Sequence, residues 1–206
     1  MANRSVRHLA VLLTVVGLSG WLHGRVGSIA FSTLVKDSDE IVLGRVVDVI
    51  TVKDAKIARV KVLETYKGEK VDELFFFAQP TWVCDISEAV KNETILLFLR
   101  HYSDKREGLE KMFLPSLPSP QALEAAGVGN AMFLIVDSGR GRMPLRTIGG
   151  QRYATVWIDD VRLPPSVHTL AGPKTTSTFI RSVLLNDIVG LVQGSVASIA
   201  RSTQQH

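Results

Sequence analysis

The sequence predicts a mostly β protein: a small closed barrel with a short helix ahead of it and an amphipathic helix behind it. Short runs of β-branched and aromatic residues follow one another between positions 40 and 158. Gly, Pro and Asp separate these runs and read as turns. Helical periodicity is confined to the two flanks, so the strand–helix–strand alternation of a parallel sheet is missing. Many short strands around one core favour a barrel or sandwich.

The N-terminus reads as an export signal spanning residues 1–30. Arg4 and Arg7 precede an apolar run from Leu9 to Leu22, and no acidic residue occurs before Asp37. The run is shorter than the ~20 apolar residues a spanning helix needs, and Gly17 and Gly20 interrupt it. Ser28 and Ala30 are the small residues that a cut before Phe31 requires, with a cut after Gly20 as the alternative. No cysteine follows the apolar run that could accept a lipid, and no Arg-Arg pair precedes it.

Charge and cysteine content narrow the setting. The chain has 24 Lys+Arg against 20 Asp+Glu, but the 1–30 segment holds Arg4, Arg7 and Arg25 and no acid. The remaining 176 residues are therefore close to neutral, and net charge gives no argument for nucleic-acid binding. Cys84 is the only cysteine, so core burial stabilises the fold without an internal disulfide. A periplasmic or extracellular bacterial location is expected from an export signal combined with so few cysteines.

The elements follow in order. Ser32–Asp39 is predicted as a short helix capped by Ser32. Glu40–Val52 reads as a long strand, with Gly44 marking a bulge or tight bend. Asp54–Lys56 connects it to an alternating strand, Ile57–Tyr66, and Lys67-Gly68-Glu69 turns the chain into a third strand, Val71–Ala78. Thr94–Arg100 is a nearly continuous apolar run, the pattern of a strand buried on both faces. Residues 103–129 are expected to be irregular, since Pro115, Pro118 and Pro120 oppose a regular element. Strands are predicted at Ala131–Asp137, Met143–Ile148 and Tyr153–Ile158, and an amphipathic helix at Thr178–Ala200 behind a Ser177 cap. The barrel domain is thus expected at 31–170, with the C-terminal helix and tail at 171–206. Arg181, Asn186 and Asp187 make that helix a poor membrane span, so the mature chain is expected to have none.

The order of Ser38–Val46, Ala58–Gly68, Cys84-Asp85 and Glu93–Leu99 resembles the netrin-like module, the OB-type barrel of the tissue inhibitors of metalloproteinases. It is most similar to exported bacterial proteins of unknown function with that pattern. The resemblance implies an OB-like closed barrel and no catalytic residue. It does not carry over zinc-directed inhibition, which uses a disulfide-held N-terminal cysteine; here the expected N-terminus is Phe31 and Cys84 has no partner cysteine.

Other chemistry is weighed residue by residue. Asp85 beside Cys84 would raise a thiol pKa rather than activate it, so a structural cysteine is expected. His101 and His168 lie in no metal-binding spacing, and no cofactor or metal is expected. Adjacent Phe75, Phe76 and Phe77 must face both sides of a strand, the outer side being assigned to the C-terminal helix. The function expected is a non-enzymatic binding module for a protein or cell-envelope partner. Phe31, Trp82, Cys84 and Asp85 are its candidate binding residues, placed near one barrel end by the family geometry. Two alternatives are a small-ligand carrier with a mouth lined by Phe75, Phe77 and Phe98, and a cryptic hydrolase using His101, Ser103 and Asp104.

Overall fold

The computed structural model describes residues 27–80, 87–102, 118–137, 139–157, 161–171 and 180–203. Strands are β1 (Ile29–Ala30), β2 (Glu40–Val52), β3 (Ala55–Lys67), β4 (Glu73–Phe77), β5 (Thr94–His101), β6 (Met132–Ile135), β7 (Arg142–Ile148), β8 (Gln151–Trp157), β9 (Val161–Arg162), β10 (Thr169–Ala171) and β11 (Ile180–Leu184). Helices are α1 (Phe31–Asp37), α2 (Pro120–Ala125) and α3 (Leu185–Thr203).

Five strands close into a barrel in the order β5-β2-β3-β4-β6, with β6 returning to β5. Neighbours are antiparallel except β4 and β6, which run parallel through Phe75–Met132 and Phe76–Phe133. The two long strands must coil to close so small a barrel, and their pairing shifts register at Ile41/Val42, Leu43/Gly44 and Val46/Asp48. Gly44 sits at one shift because a Cβ there would lie 2.3 Å from Val60 Cγ1. The β2–β3 turn is Lys53-Asp54, with Lys53 at a φ of 54°.

Alternation along the strands separates the inside of the barrel from its outside. Val42, Val46, Ala58, Val60, Leu74, Phe76, Ile95, Leu97, Leu99, Phe133 and Ile135 form one apolar cluster that fills the barrel. Each fully buried side chain of this size is worth about 1.5–3 kcal/mol. The intervening residues of β5, Leu96 and Phe98, face a second core on the outside. That core lies between β2, β5, α1, α3 and the extension of the sheet from β5 through β7, β8, β11 and β10. Hence Ile95 to Leu99 are all fully buried, as the continuous apolar run requires.

The structure departs from four local expectations. The 103–129 stretch holds α2, because Pro120 occupies the first helical turn, where its missing N–H costs nothing, and Ser119 caps it by accepting from Ala122 N–H. That helix covers the outward Phe77 through Leu123; the C-terminal helix does not. The C-terminal helix begins at Leu185, since Ile180–Leu184 pairs along β8 as a strand. Val183 reaches the core from that strand, so its helical spacing with later residues is coincidental. At the other end, Ala30 rather than Ser32 is the N-cap of α1, with no side-chain cap bond. The folded body already includes Ile29 and Ala30, which pair in parallel with Val161 and Arg162.

Candidate functional site

Among the described residues, charge gathers on the barrel at a junction and along a strip. The first is a junction where α1 ends and β2 and β3 meet. Lys67 Nζ donates to the Val35 carbonyl at 2.9 Å, to Lys36 O at 3.3 Å and to Ser38 O, satisfying the open carbonyls at the end of α1. Ser38 Oγ donates to Leu34 O at 2.7 Å. Beside it, the buried Glu40 carboxylate accepts from the Glu69 backbone N–H at 3.0 Å through Oε1, while Oε2 has no hydrogen-bond partner among the described residues. Burial pushes the Glu40 carboxyl above its ordinary value, partly offset by the Glu69 N–H and by His101. Burial likewise holds the Lys67 ammonium below its ordinary value, against the pull of Asp39, Asp37 and Glu40. Asp39 Oδ2 accepts from the His101 backbone N–H at 2.8 Å, tying β5 to the same junction. Residues 38–40, after α1, and 67–69, at the end of β3, therefore meet in space.

The second part is the outer face of β2 and β3 between the two covering layers. Leu43 and Tyr66 lie under the α1/α3 core at one side, and Ile50, Ile57 and Phe77 lie against α2 at the other. The strip between them carries Arg45, Arg59 and Lys61, all exposed. Arg45 stands opposite Lys61 in the β2–β3 register, and Arg59 opposite Asp48. Across β3, Lys61 faces Glu73 and Arg59 faces Phe75 on β4. Lys91 Nζ lies 3.4 Å from Asp48 Oδ1. No carboxylate among the described residues forms an ion pair with Arg45, Arg59 or Lys61.

Of the sequence-predicted binding residues, only Phe31 lies among the described ones. Phe31 is only 3% exposed and its ring meets Phe98 edge-on at 5.6 Å, so it is a core residue and presents nothing to a partner. Trp82, Cys84 and Asp85 lie outside the described residues, as do Ser103 and Asp104. His101 stacks on Phe133 at 4.6 Å between ring centres. The carrier's three phenylalanines share no mouth: Phe98 faces the α1/α3 core, while Phe75 and Phe77 face α2. The barrel interior they were expected to frame is filled by other side chains.

A groove of about 710 Å³ runs beside α2, lined by Tyr102, Leu123, Glu124 and Met132 among others. Tyr102 Oη donates to Pro118 O at 3.2 Å at its rim. Among the described residues, no group of three or more His, Cys, Asp or Glu is placed to hold a metal ion. No helix among them is long and apolar enough to cross a membrane. No protein-family model matches the chain, and no curated protein matches it significantly.

Sequence reasoning misses this charged strip, although the Arg59–Lys61 alternation is visible in it. What places Arg45 opposite Lys61 is the bulged β2–β3 register, which alternation alone does not specify.

Proposed function

We propose that the chain is an exported, non-enzymatic binding module on an OB-like barrel, which holds a protein or cell-envelope partner against the outside of the barrel. The observation that carries this reading is the filled interior: Phe76, Leu74, Leu97 and Phe133 leave recognition to the outer surface. Two sides of that surface are covered by helices, and Arg45, Arg59 and Lys61 on the β2–β3 strip between them are exposed. The OB-like assignment is supported by the barrel order, in which the first strand pairs with the second and fourth and the third pairs with the fifth. In such barrels the second and third strands form the ligand-binding face; here these are β3, exposed at Arg59 and Lys61, and β4, whose Phe75 and Phe77 pack against α2. The netrin-like resemblance agrees with this frame, and the basic-then-apolar N-terminus supports export.

The test is co-sedimentation of the tagged full-length chain with isolated envelopes of the producing cell. Saturable retention above an inert exported control is expected. Retention no greater than that control overturns the reading.

A further inference from the structure

We infer that the tip of the β7–β8 hairpin docks on an anionic lipid surface, with Ile148 entering the acyl-chain boundary and Arg146 and Arg152 among the headgroup phosphates. This rests on the binding-module reading and names a surface and an envelope component for it. The strand pairing makes this hairpin project. β7 pairs with β5 only through Arg142–Pro144, and β8 pairs with β11 only from Tyr153 onward. The rows Thr147–Arg152 and Ile148–Gln151 therefore run on past both neighbouring strands. Every residue from Arg146 to Arg152 is exposed, on both faces of the ribbon. Gly149 and Gly150, at φ of 58° and 80°, close it as a two-residue turn that matches the twist of the strands. The large apolar residue of this tip, Ile148, is 42% exposed and joins none of the apolar clusters.

The charge on the hairpin is of one sign. Residues 139–157 contain no Asp or Glu. Near the base, Arg140 and Arg142 are engaged by Asp137 and Glu93. Arg146 and Arg152 form no ion pair among the described residues. Arg152 lies within electrostatic reach of Tyr66 on β3, whose Oη donates to Glu64 Oε2 at 2.9 Å, but it forms no ion pair with that carboxylate. Alternation places Arg146 on the face of Ile148 and Arg152 on the opposite face, about 7 Å and about 3 Å behind the tip row. An apolar tip with a cation on each face lets both guanidinium groups reach phosphates while the tip leaves water. A soluble phosphate or polyanion would use the arginines alone and leave Ile148 in water. A protein pocket for Ile148 would not need a cation on each side of it.

The experiment pellets the chain, as recovered from its producing cell, with vesicles of equal parts phosphatidylglycerol and phosphatidylcholine, and with vesicles of phosphatidylcholine alone. Pelleting with the anionic vesicles is expected, falling as salt rises because exposed charges are screened, and weaker on phosphatidylcholine alone. Arg146→Gln combined with Arg152→Gln should weaken it by roughly tenfold or more. Ile148→Ser should weaken it by roughly tenfold, and Ile148→Trp should tighten it, since tryptophan favours the membrane interface. These positions are exposed, so each variant should keep the wild-type melting midpoint. No pelleting with the anionic vesicles overturns the proposal, as does equal pelleting on phosphatidylcholine alone. Unchanged pelleting of the folded double-arginine or Ile148→Ser chain also overturns it, because binding then resides elsewhere, the apolar run from Leu9 to Leu22 included. Release from the vesicles by free glycerol phosphate, at the concentration of lipid phosphate, would show that phosphate alone is recognised and would overturn it too. If the proposal fails while envelope co-sedimentation persists, the binding module stands with another partner; loss of both fells the module as well.

Discussion

The carboxylate of Glu40 fills the space that a side chain at position 68 would need. A Cβ on Gly68 would lie 2.0 Å from Glu40 Oε2, and Gly68 has a φ of +93°, which side-chain-bearing residues rarely adopt. Gly68→Ala is therefore expected to cost about 2–4 kcal/mol in denaturant unfolding. In a Glu40→Ala background the clash is gone and only the backbone strain remains, so the same change should cost measurably less. Equal costs in both backgrounds would show that the two residues are uncoupled.

Glu40 also sets a pH dependence. Its folded-state pKa is raised by burial, so the protonated form is favoured in the fold. Its contribution is fully favourable below the unfolded value of about 4.3 and is lost as pH rises through the folded value. Glu40→Gln keeps an acceptor for the Glu69 N–H without the buried charge. The variant should be more stable than wild type at pH 7, and the gap should close as the pH falls below about 4. A gap of constant size across that range would contradict this.

Lys67 holds the end of α1 through three backbone carbonyls. Lys67→Met keeps most of the aliphatic stem and removes the donors. A loss of about 1–3 kcal/mol is expected, with faster amide exchange in α1 than in the barrel strands. Uniform exchange changes across the molecule would instead point to a global effect.

Phe31 and Phe98 meet edge-on inside the outer core. Phe31→Ala should cost about 3–5 kcal/mol, and part of that cost should disappear when Phe98 is already alanine. Envelope retention, measured at a temperature where the variant is folded, should be unchanged. Loss of retention without loss of stability would return Phe31 to the binding surface.

Ile29 packs on the outer core and pairs with Val161, and Ala30 caps α1. A cut before Phe31 would delete that strand and place an ammonium at the positive end of a helix. On the export reading proposed above, the mature N-terminus is thus expected ahead of Ile29, as the alternative cut after Gly20 would leave it. Intact mass of the protein recovered from its producing cell reads this directly, and a chain beginning at Phe31 would refute it.

Sequence patterning reaches the strands whose burial repeats simply. The alternation of 57–66 and the solid apolar run of 94–100 each dictate one arrangement, and Gly44 marks a real bulge. It goes astray where a pattern has two physical readings. Proline opposes a helix interior but suits a first turn, so α2 looks like loop from its residues alone. Ile180–Leu184 carries apolar residues compatible with either period, and the open edge of β8 decides for a strand. The candidate surface depends on which residues of different strands stand side by side. Register fixes that, and bulges shift it. Phe31 misleads because a terminus expected from processing is easily taken for an exposed one.

The parallel contact of β4 with β6 has a consequence for how the chain matures. Among the described residues the free edge of β4 pairs with β6, so that edge stays unpaired until the fifth strand has been made and has travelled back. Such a non-local final step makes acquisition of the native state slow relative to a chain of local hairpins. A polypeptide that stays open until its later half emerges can still be threaded through a narrow pore, and one truncated before Met132 would be left with exposed edges and a strong tendency to aggregate.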